Sequence, residues 1–145
     1  LMGAVENGAL EADGEATGII PEFMYENGWQ HKSLTHLEIV PDMHARKSRM
    51  AELGDSVIAL PGGIGTFEEL LEIITWRQLG LYHGNIVIFN VNNYYAPLLS
   101  MFEQAIGQGF MRKEYRSLYK VTESVEETIA AVLAEPEQRI YPQKF

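Results

Sequence analysis

Short apolar runs alternate with segments of helical periodicity, and this alternation limits the fold more than any other feature of the chain. Five runs predict strands: ATGIIP (16–21), LTHLEIV (34–40), SVIALP (56–61), NIVIFNV (85–91) and SLYKVT (117–122). Helical spacing covers five other segments: residues 1–11, 43–54, 66–80, 96–110 and 124–133. Strands that alternate with helices of this length indicate βαβ units, so we predict an α/β fold with a mainly parallel sheet covered on both faces.

The local signals refine these elements. Asp42 can cap the helix over 43–54, and Gly54 can end it. Ser124 and Glu127 predict a capping box, with a buried stripe of Val125, Ile129, Val132 and Leu133. In the helix over 66–80 we expect the buried positions Phe67, Leu70, Leu71 and Ile74, and Leu81 continues their spacing. Residues 22–34 predict a loop, and the proline-rich tail over 136–145 should lie on the surface.

Length and composition indicate the broad class of protein. The 145 residues, 46% of them hydrophobic, fit one domain over 1–145. No apolar run reaches the roughly 18 residues that a membrane span needs, and no signal peptide is evident. The absence of cysteine is compatible with the cytoplasm, so we expect a soluble, cytoplasmic protein. The net charge of −9 argues against nucleic acid as a partner but permits a small phosphate ester.

The stretch ALPGGIGTFEEL (59–70) places three glycines between a predicted strand and a predicted helix. In a parallel sheet this is where ligands bind, and glycines allow the backbone N–H groups to approach a phosphate. Gly62, Gly63, Gly65 and Thr66 therefore indicate a phosphate cradle, and a simple tight turn is the alternative. The carboxylate of Glu69 needs its own explanation, and a capping box with Thr66 is one candidate.

PGGIGTFEE, together with the upstream MHARK (43–47), resembles the paired PGGxGTxxE and MHxRK motifs of the LOG family. This family comprises the cytokinin riboside 5′-monophosphate phosphoribohydrolases, many of which carry an older lysine decarboxylase label. LMGAV, GIIP and the segment from Glu72 to Tyr95 are similar to further family segments. The resemblance covers nearly the whole chain and implies a Rossmann-like three-layer fold.

Family members release a free base from a nucleoside 5′-monophosphate and leave ribose 5-phosphate. By matching motif positions, the resemblance implies that Arg46 and Glu69 are the catalytic pair. It also implies nucleotide binding by Lys47 and by the loop of Gly62, Gly63, Ile64, Gly65, Thr66, Phe67 and Glu68. The implied substrate is AMP or a cytokinin riboside monophosphate, with no cofactor, and family members are dimers.

Those residue types suit that chemistry. Cleavage of an N-glycosidic bond builds positive charge on the sugar, and a carboxylate such as Glu69 can stabilise this cation or activate the attacking water. Arg46 offers a permanent charge to a phosphate or to the departing base, and a solvated helix charge is the alternative. Glu26, in the predicted loop, is a weaker candidate for a contact to the sugar or base; an exposed acidic residue is the alternative.

Other candidate residues have structural explanations. No spacing among the four histidines, His31, His36, His44 and His83, matches a metal-ligand pattern, so we expect no metal site. Trp76, Tyr94 and Tyr95 could stack on a purine, although large aromatic residues in a helix stripe or a turn more often serve packing. His36 stands where the family usually has an acidic residue, which bears on substrate choice more than on reaction type.

The resemblance also predicts that the chain is incomplete at its N-terminus. The family begins with two strands and a helix that precede the GLMG segment, and these strands lie in the middle of a Rossmann-like sheet. We therefore expect a gap in the sheet formed by residues 1–145. Two other functions are alternatives to hydrolysis. One is a nucleotide-binding module that senses the nucleotide without cleaving it. The other is lysine decarboxylation, but that reaction usually requires pyridoxal phosphate and a Schiff-base lysine, and no segment of the sequence indicates either.

Overall fold

A computed structural model describes residues 1–136 of the chain. The predicted surface tail therefore lies almost wholly outside the described residues. The described part divides into two compact units, residues 1–53 and the residues from 54 onwards. Each unit contains parallel strands connected through helices, and all of its strand pairs are parallel. The predicted α/β, Rossmann-like fold class is thus confirmed.

The first unit is built around two parallel strands. Its elements are α1 (Met2–Glu11), β1 (Thr17–Pro21), α2 (Glu22–Glu26), β2 (His36–Val40) and α3 (Met43–Leu53). β1 pairs with β2 in a register that sets Thr17 opposite His36 and Pro21 opposite Val40. Its buried apolar side chains are few: Ala16, Ile20, Pro21 and Val40.

Local hydrogen bonds explain where α3 begins and how it is held. The Asp42 carboxylate accepts a hydrogen bond from the backbone N–H of Ala45 at 2.8 Å, which confirms the predicted cap. Arg49 on α3 donates to both carboxylate oxygens of Glu38 on β2, at 2.9 and 3.0 Å. The ion pair with Glu38, with a second contribution from Glu52, raises the pKa of the Arg49 guanidinium, and the Glu38 pair attaches the helix to its strand.

The second unit has three parallel strands in the order β3–β4–β5. Its elements are β3 (Ser56–Ala59), α4 (Ile64–Leu79), β4 (Asn85–Phe89), α5 (Ala96–Gly107), β5 (Lys120–Thr122) and α6 (Val125–Leu133), with two 3-10 helices over Val91–Asn93 and Lys113–Leu118. The central strand β4 is the core of this unit, because Asn85, Ile86, Val87 and Ile88 are all buried. Such a continuous apolar run is typical of a parallel strand covered on both faces.

The two ends of α6 are fixed by side chains. At its start Ser124 and Glu127 form the predicted capping box, with Glu127 N–H donating to Ser124 Oγ at 3.2 Å. At its end the buried Asn85 side chain donates to the carbonyl of Ala134 at 2.7 Å and to that of Val132 at 3.4 Å. β3 adds a third bond, from Ser56 Oγ to Val132 at 3.1 Å. α6 is therefore held against the sheet at both termini.

Three expectations about local structure were wrong. Residues 22–26 form a short helix rather than a loop. On α4 Leu71 is exposed, and Leu81 lies beyond the helix end and is exposed as well. On α6 the buried residues are Thr128 and Ala131, whereas Val125, Ile129 and Leu133 are exposed. A buried hydrogen bond of 2.7 Å between Thr122 and Thr128 sets the rotation of α6, so its small side chains face the sheet.

Candidate active site

The glycine-rich segment links β3 to α4 at the carboxyl end of a parallel strand, as the sequence predicts. α4 begins at Ile64, with Gly63 as its N-cap in an extended conformation (φ −95°, ψ −156°). The carbonyl of Gly63 accepts the first hydrogen bond of the helix, from Phe67 N–H at 3.1 Å. The backbone N–H groups of the next three residues, 64–66, therefore have no partner within the helix.

This start corrects two expectations. Only Gly62 and Gly63 belong to the loop, whereas the other predicted binding residues, Ile64 to Glu68, form the first turn of α4. Thr66 is the third residue of the helix, so it cannot be the N-cap, and the N-cap, Gly63, has no side chain that could cap the helix. The proposed capping box between Thr66 and Glu69 is therefore wrong. Glu69 is half-buried at the sixth position of the helix. Helix capping therefore does not explain why a glutamate stands at this position.

The glycines at this helix start differ in their surroundings. A Cβ atom added at Gly63 or Gly65 would meet nothing within 4 Å, and neither residue has a positive φ. Neither backbone strain nor packing within the described residues explains glycine at these two positions. Because Gly63 and Gly65 carry no side chain, an anion can approach the backbone closely here. The N–H groups of residues 64–66 and the positive end of the helix dipole lie at the same surface.

Gly62 has an internal reason to be glycine. A Cβ atom there would lie 2.8 Å from Cβ of Thr66, a distance that real side chains do not adopt. The half-buried Thr66 side chain therefore packs directly on the backbone of the loop. Helix and loop are consequently locked together at this point.

Tyr94 and Tyr95 contact the same loop, a role that the sequence analysis missed. The Tyr95 hydroxyl donates to the carbonyl of Leu60 at 2.6 Å, and the Tyr94 hydroxyl donates to the carbonyl of Gly62. Tyr95 is buried, which raises the pKa of its phenol, with a smaller contribution from Tyr94. Packing and hydrogen bonding thus account for Tyr95, whereas Tyr94 keeps 42% of its surface exposed.

In the first unit, Arg46 and Lys47 lie in the first turns of α3, directly after the carboxyl end of β2. Both side chains are half-buried. Arg46 Nε donates to the carbonyl of Ile19 in β1 at 3.1 Å. This bond holds the guanidinium against the strand, which a fully solvated helix charge would not require.

The remaining candidates lie elsewhere. Glu26 is exposed at the last position of α2. His31 approaches Glu6 at 3.8 Å, and His36 approaches Glu15 at 4.0 Å. Over residues 1–136, no three histidine, aspartate or glutamate side chains form a group that could hold a metal ion. Within the same part of the chain, no helix is both long and apolar enough to cross a membrane.

Comparisons with known proteins identify the family. A family model described as "Possible lysine decarboxylase" matches residues 2–132. A cytokinin riboside 5′-monophosphate phosphoribohydrolase from Rhodococcoides fascians is 48% identical over 133 residues, which cover 91% of this chain and 67% of that protein. The chain belongs to the LOG family.

Plant LOG proteins match at lower identity. A probable cytokinin riboside 5′-monophosphate phosphoribohydrolase from Oryza sativa is 41% identical over 118 residues, covering 81% of this chain and 53% of that protein. An Arabidopsis thaliana protein with the same activity in its name is 38% identical over 129 residues, covering 89% and 57%. The chain thus spans between about half and two thirds of the length of these LOG relatives.

Proposed function

We propose that this chain belongs to an enzyme that hydrolyses the N-glycosidic bond of adenosine 5′-monophosphate or of an N6-modified form. Water supplies a hydroxyl to C1′ of the ribose and a proton to the base, so the products are ribose 5-phosphate and free adenine or a cytokinin. The activity that the LOG relatives carry in their names supports this reaction class. The net charge of −9 disfavours nucleic acid as a partner. It permits a small phosphate ester such as this nucleotide, which a few local groups can bind.

The observation that carries the proposal is the open start of α4. The N–H groups of residues 64–66, which have no partner within the helix, and the backbone of Gly63 and Gly65, which carries no side chain, suit the 5′-phosphate of a nucleotide. Glu69 follows five residues after Ile64, which is about 7.5 Å along the helix axis, and helical side chains lean towards the N-terminus. A phosphate bound at the helix start would bring the sugar of the same nucleotide towards this carboxylate.

The roles of the residues follow from their chemistry. We assign to Glu69 the stabilisation of the positive charge that develops on the ribose and the activation of the attacking water. Arg46 is its catalytic partner and binds the phosphate or the departing base. Lys47 and the segment from Gly62 to Glu68 bind the nucleotide, and Glu26 is a weaker candidate for a contact to the sugar or base.

The setting of the enzyme is also part of the proposal. We assign it to the cytoplasm, with which the absence of cysteine is compatible. The hydrolysis requires no cofactor. We expect a homodimer, on the resemblance to the family. No metal is needed, since the carboxylate and the guanidinium supply the charges that the reaction uses.

The test is release of free base by the full-length protein, followed by chromatography after incubation with AMP and with isopentenyladenosine monophosphate. Glu69→Gln should lower the rate by at least about 100-fold, because it removes the charge that stabilises the sugar cation. The matched control is Glu72→Gln, one turn further along α4 and likewise half-buried. This control should retain base release.

Other outcomes would change the assignment. If Glu69→Gln and Glu72→Gln lose activity equally, charge on α4 rather than Glu69 itself is responsible. If the unmodified protein binds the nucleotide but releases no base, it is a sensing module. Carbon dioxide released from lysine would indicate the decarboxylase that the description of the family model names.

A further inference from the structure

Tyr94 and Tyr95 reach the glycine loop from the neighbouring strand of the sheet. They follow β4 after a turn in which Asn92 and Asn93 both adopt the left-handed conformation, with φ of 52° and 59°. The buried Asn90 fixes this turn, because its Oδ1 accepts from Tyr95 N–H at 2.8 Å and its own N–H donates to Thr122 in β5 at 2.7 Å. The two tyrosines thus start from a rigid base.

Their rings are held by α4 itself. The Phe67 ring is stacked with that of Tyr94 at 6.4 Å between centroids and meets Tyr95 edge-on at 6.2 Å. The two tyrosine rings are perpendicular to each other at 5.1 Å. Removal of one hydroxyl therefore leaves the aromatic packing in place.

The two hydroxyls bind carbonyls on either side of Pro61, with different consequences. Tyr95 binds the carbonyl of Leu60, and the next residue, Pro61, has no N–H group. Tyr94 binds the carbonyl of Gly62, and the next residue, Gly63, has an N–H group. In a planar trans peptide the carbonyl and the following N–H point in opposite directions. Tyr94 therefore sets the direction of the Gly63 N–H, whereas Tyr95 only anchors the end of β3.

We propose that Tyr94 is a positioning residue for phosphate: its hydrogen bond to the Gly62 carbonyl directs the Gly63 N–H towards the 5′-phosphate of the nucleotide. This inference rests on the proposed function, because it takes the start of α4 to be the phosphate site. Gly63 then supplies a donor beside those of residues 64–66. Tyr94 acts through the backbone and needs no contact with the ligand itself.

The experiment compares the affinities of full-length variants for AMP and adenosine, which differ only in the phosphate. Isothermal titration in a Glu69→Gln background keeps the nucleotide intact. Tyr94→Phe should weaken AMP binding about tenfold, the loss of roughly one hydrogen bond, and leave adenosine binding unchanged. The ratio of the two affinities does not depend on the fraction of folded protein, so a merely structural role would not move it.

Two further tyrosines serve as controls. Tyr95→Phe should lower the unfolding midpoint but keep the AMP to adenosine ratio. Tyr115→Phe removes a hydroxyl that accepts from Gln78 Nε2 at 3.2 Å, away from the loop, and should also keep the ratio. An unchanged ratio in Tyr94→Phe, or an equal change in Tyr95→Phe, would overturn the inference. Base release by the unmodified protein tests the proposed function separately, so a failure of the inference can be distinguished from a failure of the proposed function.

Discussion

At the scale of single residues, the glycines before and within α4 have different roles: one is needed for the stability of the fold and another for ligand binding. Gly62 is required by the fold, since its Cα packs on the Thr66 side chain. Gly65 is not required by the fold, because a Cβ atom added there would meet nothing within 4 Å. Under the proposed function, Gly65 is kept for the ligand alone.

Alanine substitutions at these two positions should therefore have opposite effects. Gly65→Ala should stabilise the protein by about 0.5–1 kcal/mol, because alanine is the better helix former, yet weaken AMP binding through the added methyl group. Gly62→Ala should destabilise it by about 1–3 kcal/mol through overpacking against Thr66. Urea unfolding and AMP titration of both variants measure these effects. If Gly65→Ala leaves the affinity for AMP unchanged, the phosphate does not bind at this part of the helix.

At the scale of elements, a capping-box pattern in the sequence predicted the start of a helix only where the backbone conformation placed the capping residue at the N-cap. Thr66 and Glu69 have the same spacing as Ser124 and Glu127, yet only the second pair forms a capping box. The difference is Gly63, whose extended backbone starts α4 before Thr66 is reached. The rotation of α6 was not predictable either, because it depends on a hydrogen bond to Thr122 in β5 that periodicity does not contain.

The same limit applies to the candidate site. The glycine segment lies after a strand, as its composition predicts, because a strand, a turn and a helix are all local in sequence. The bonds of Tyr94 and Tyr95 to the loop join residues 32 and 35 positions apart. No local pattern indicates such bonds, so this role of the two tyrosines could be found only in the folded chain.

The C-terminal end of α6 should depend strongly on Asn85. Asn85→Ala removes the side-chain donor to the part-buried carbonyl of Ala134, whereas Val132 keeps its bond from Ser56. We expect a loss of about 1–3 kcal/mol in the free energy of unfolding. Ser124→Ala, at the exposed start of the same helix, should cost about 1 kcal/mol. Urea denaturation of both variants compares the two ends, and a smaller loss for Asn85→Ala would contradict the buried role.

At the scale of the whole molecule, the two compact units differ in their capacity to fold. The second has a three-stranded sheet whose central strand β4 is buried over four of its five residues. The first has two strands and few buried apolar side chains, although three helices accompany them. A two-stranded sheet with so small a core is marginal on its own. We therefore propose that residues 1–145 fold as part of a single domain.

Hydrogen exchange of the full-length protein in increasing urea tests this proposal. If the chain is one cooperative domain, the most protected amides of β2 and of β4 should exchange with the same free energy of opening once urea suppresses local fluctuations. Independent units would instead open separately, with β2 exchanging at a lower free energy because its core is smaller. Addition of AMP sharpens the distinction. Under the proposed function, AMP should raise the protection of β4 through the glycine segment and that of β2 through Arg46 and Lys47. Protection confined to β4 would contradict the role proposed for Arg46.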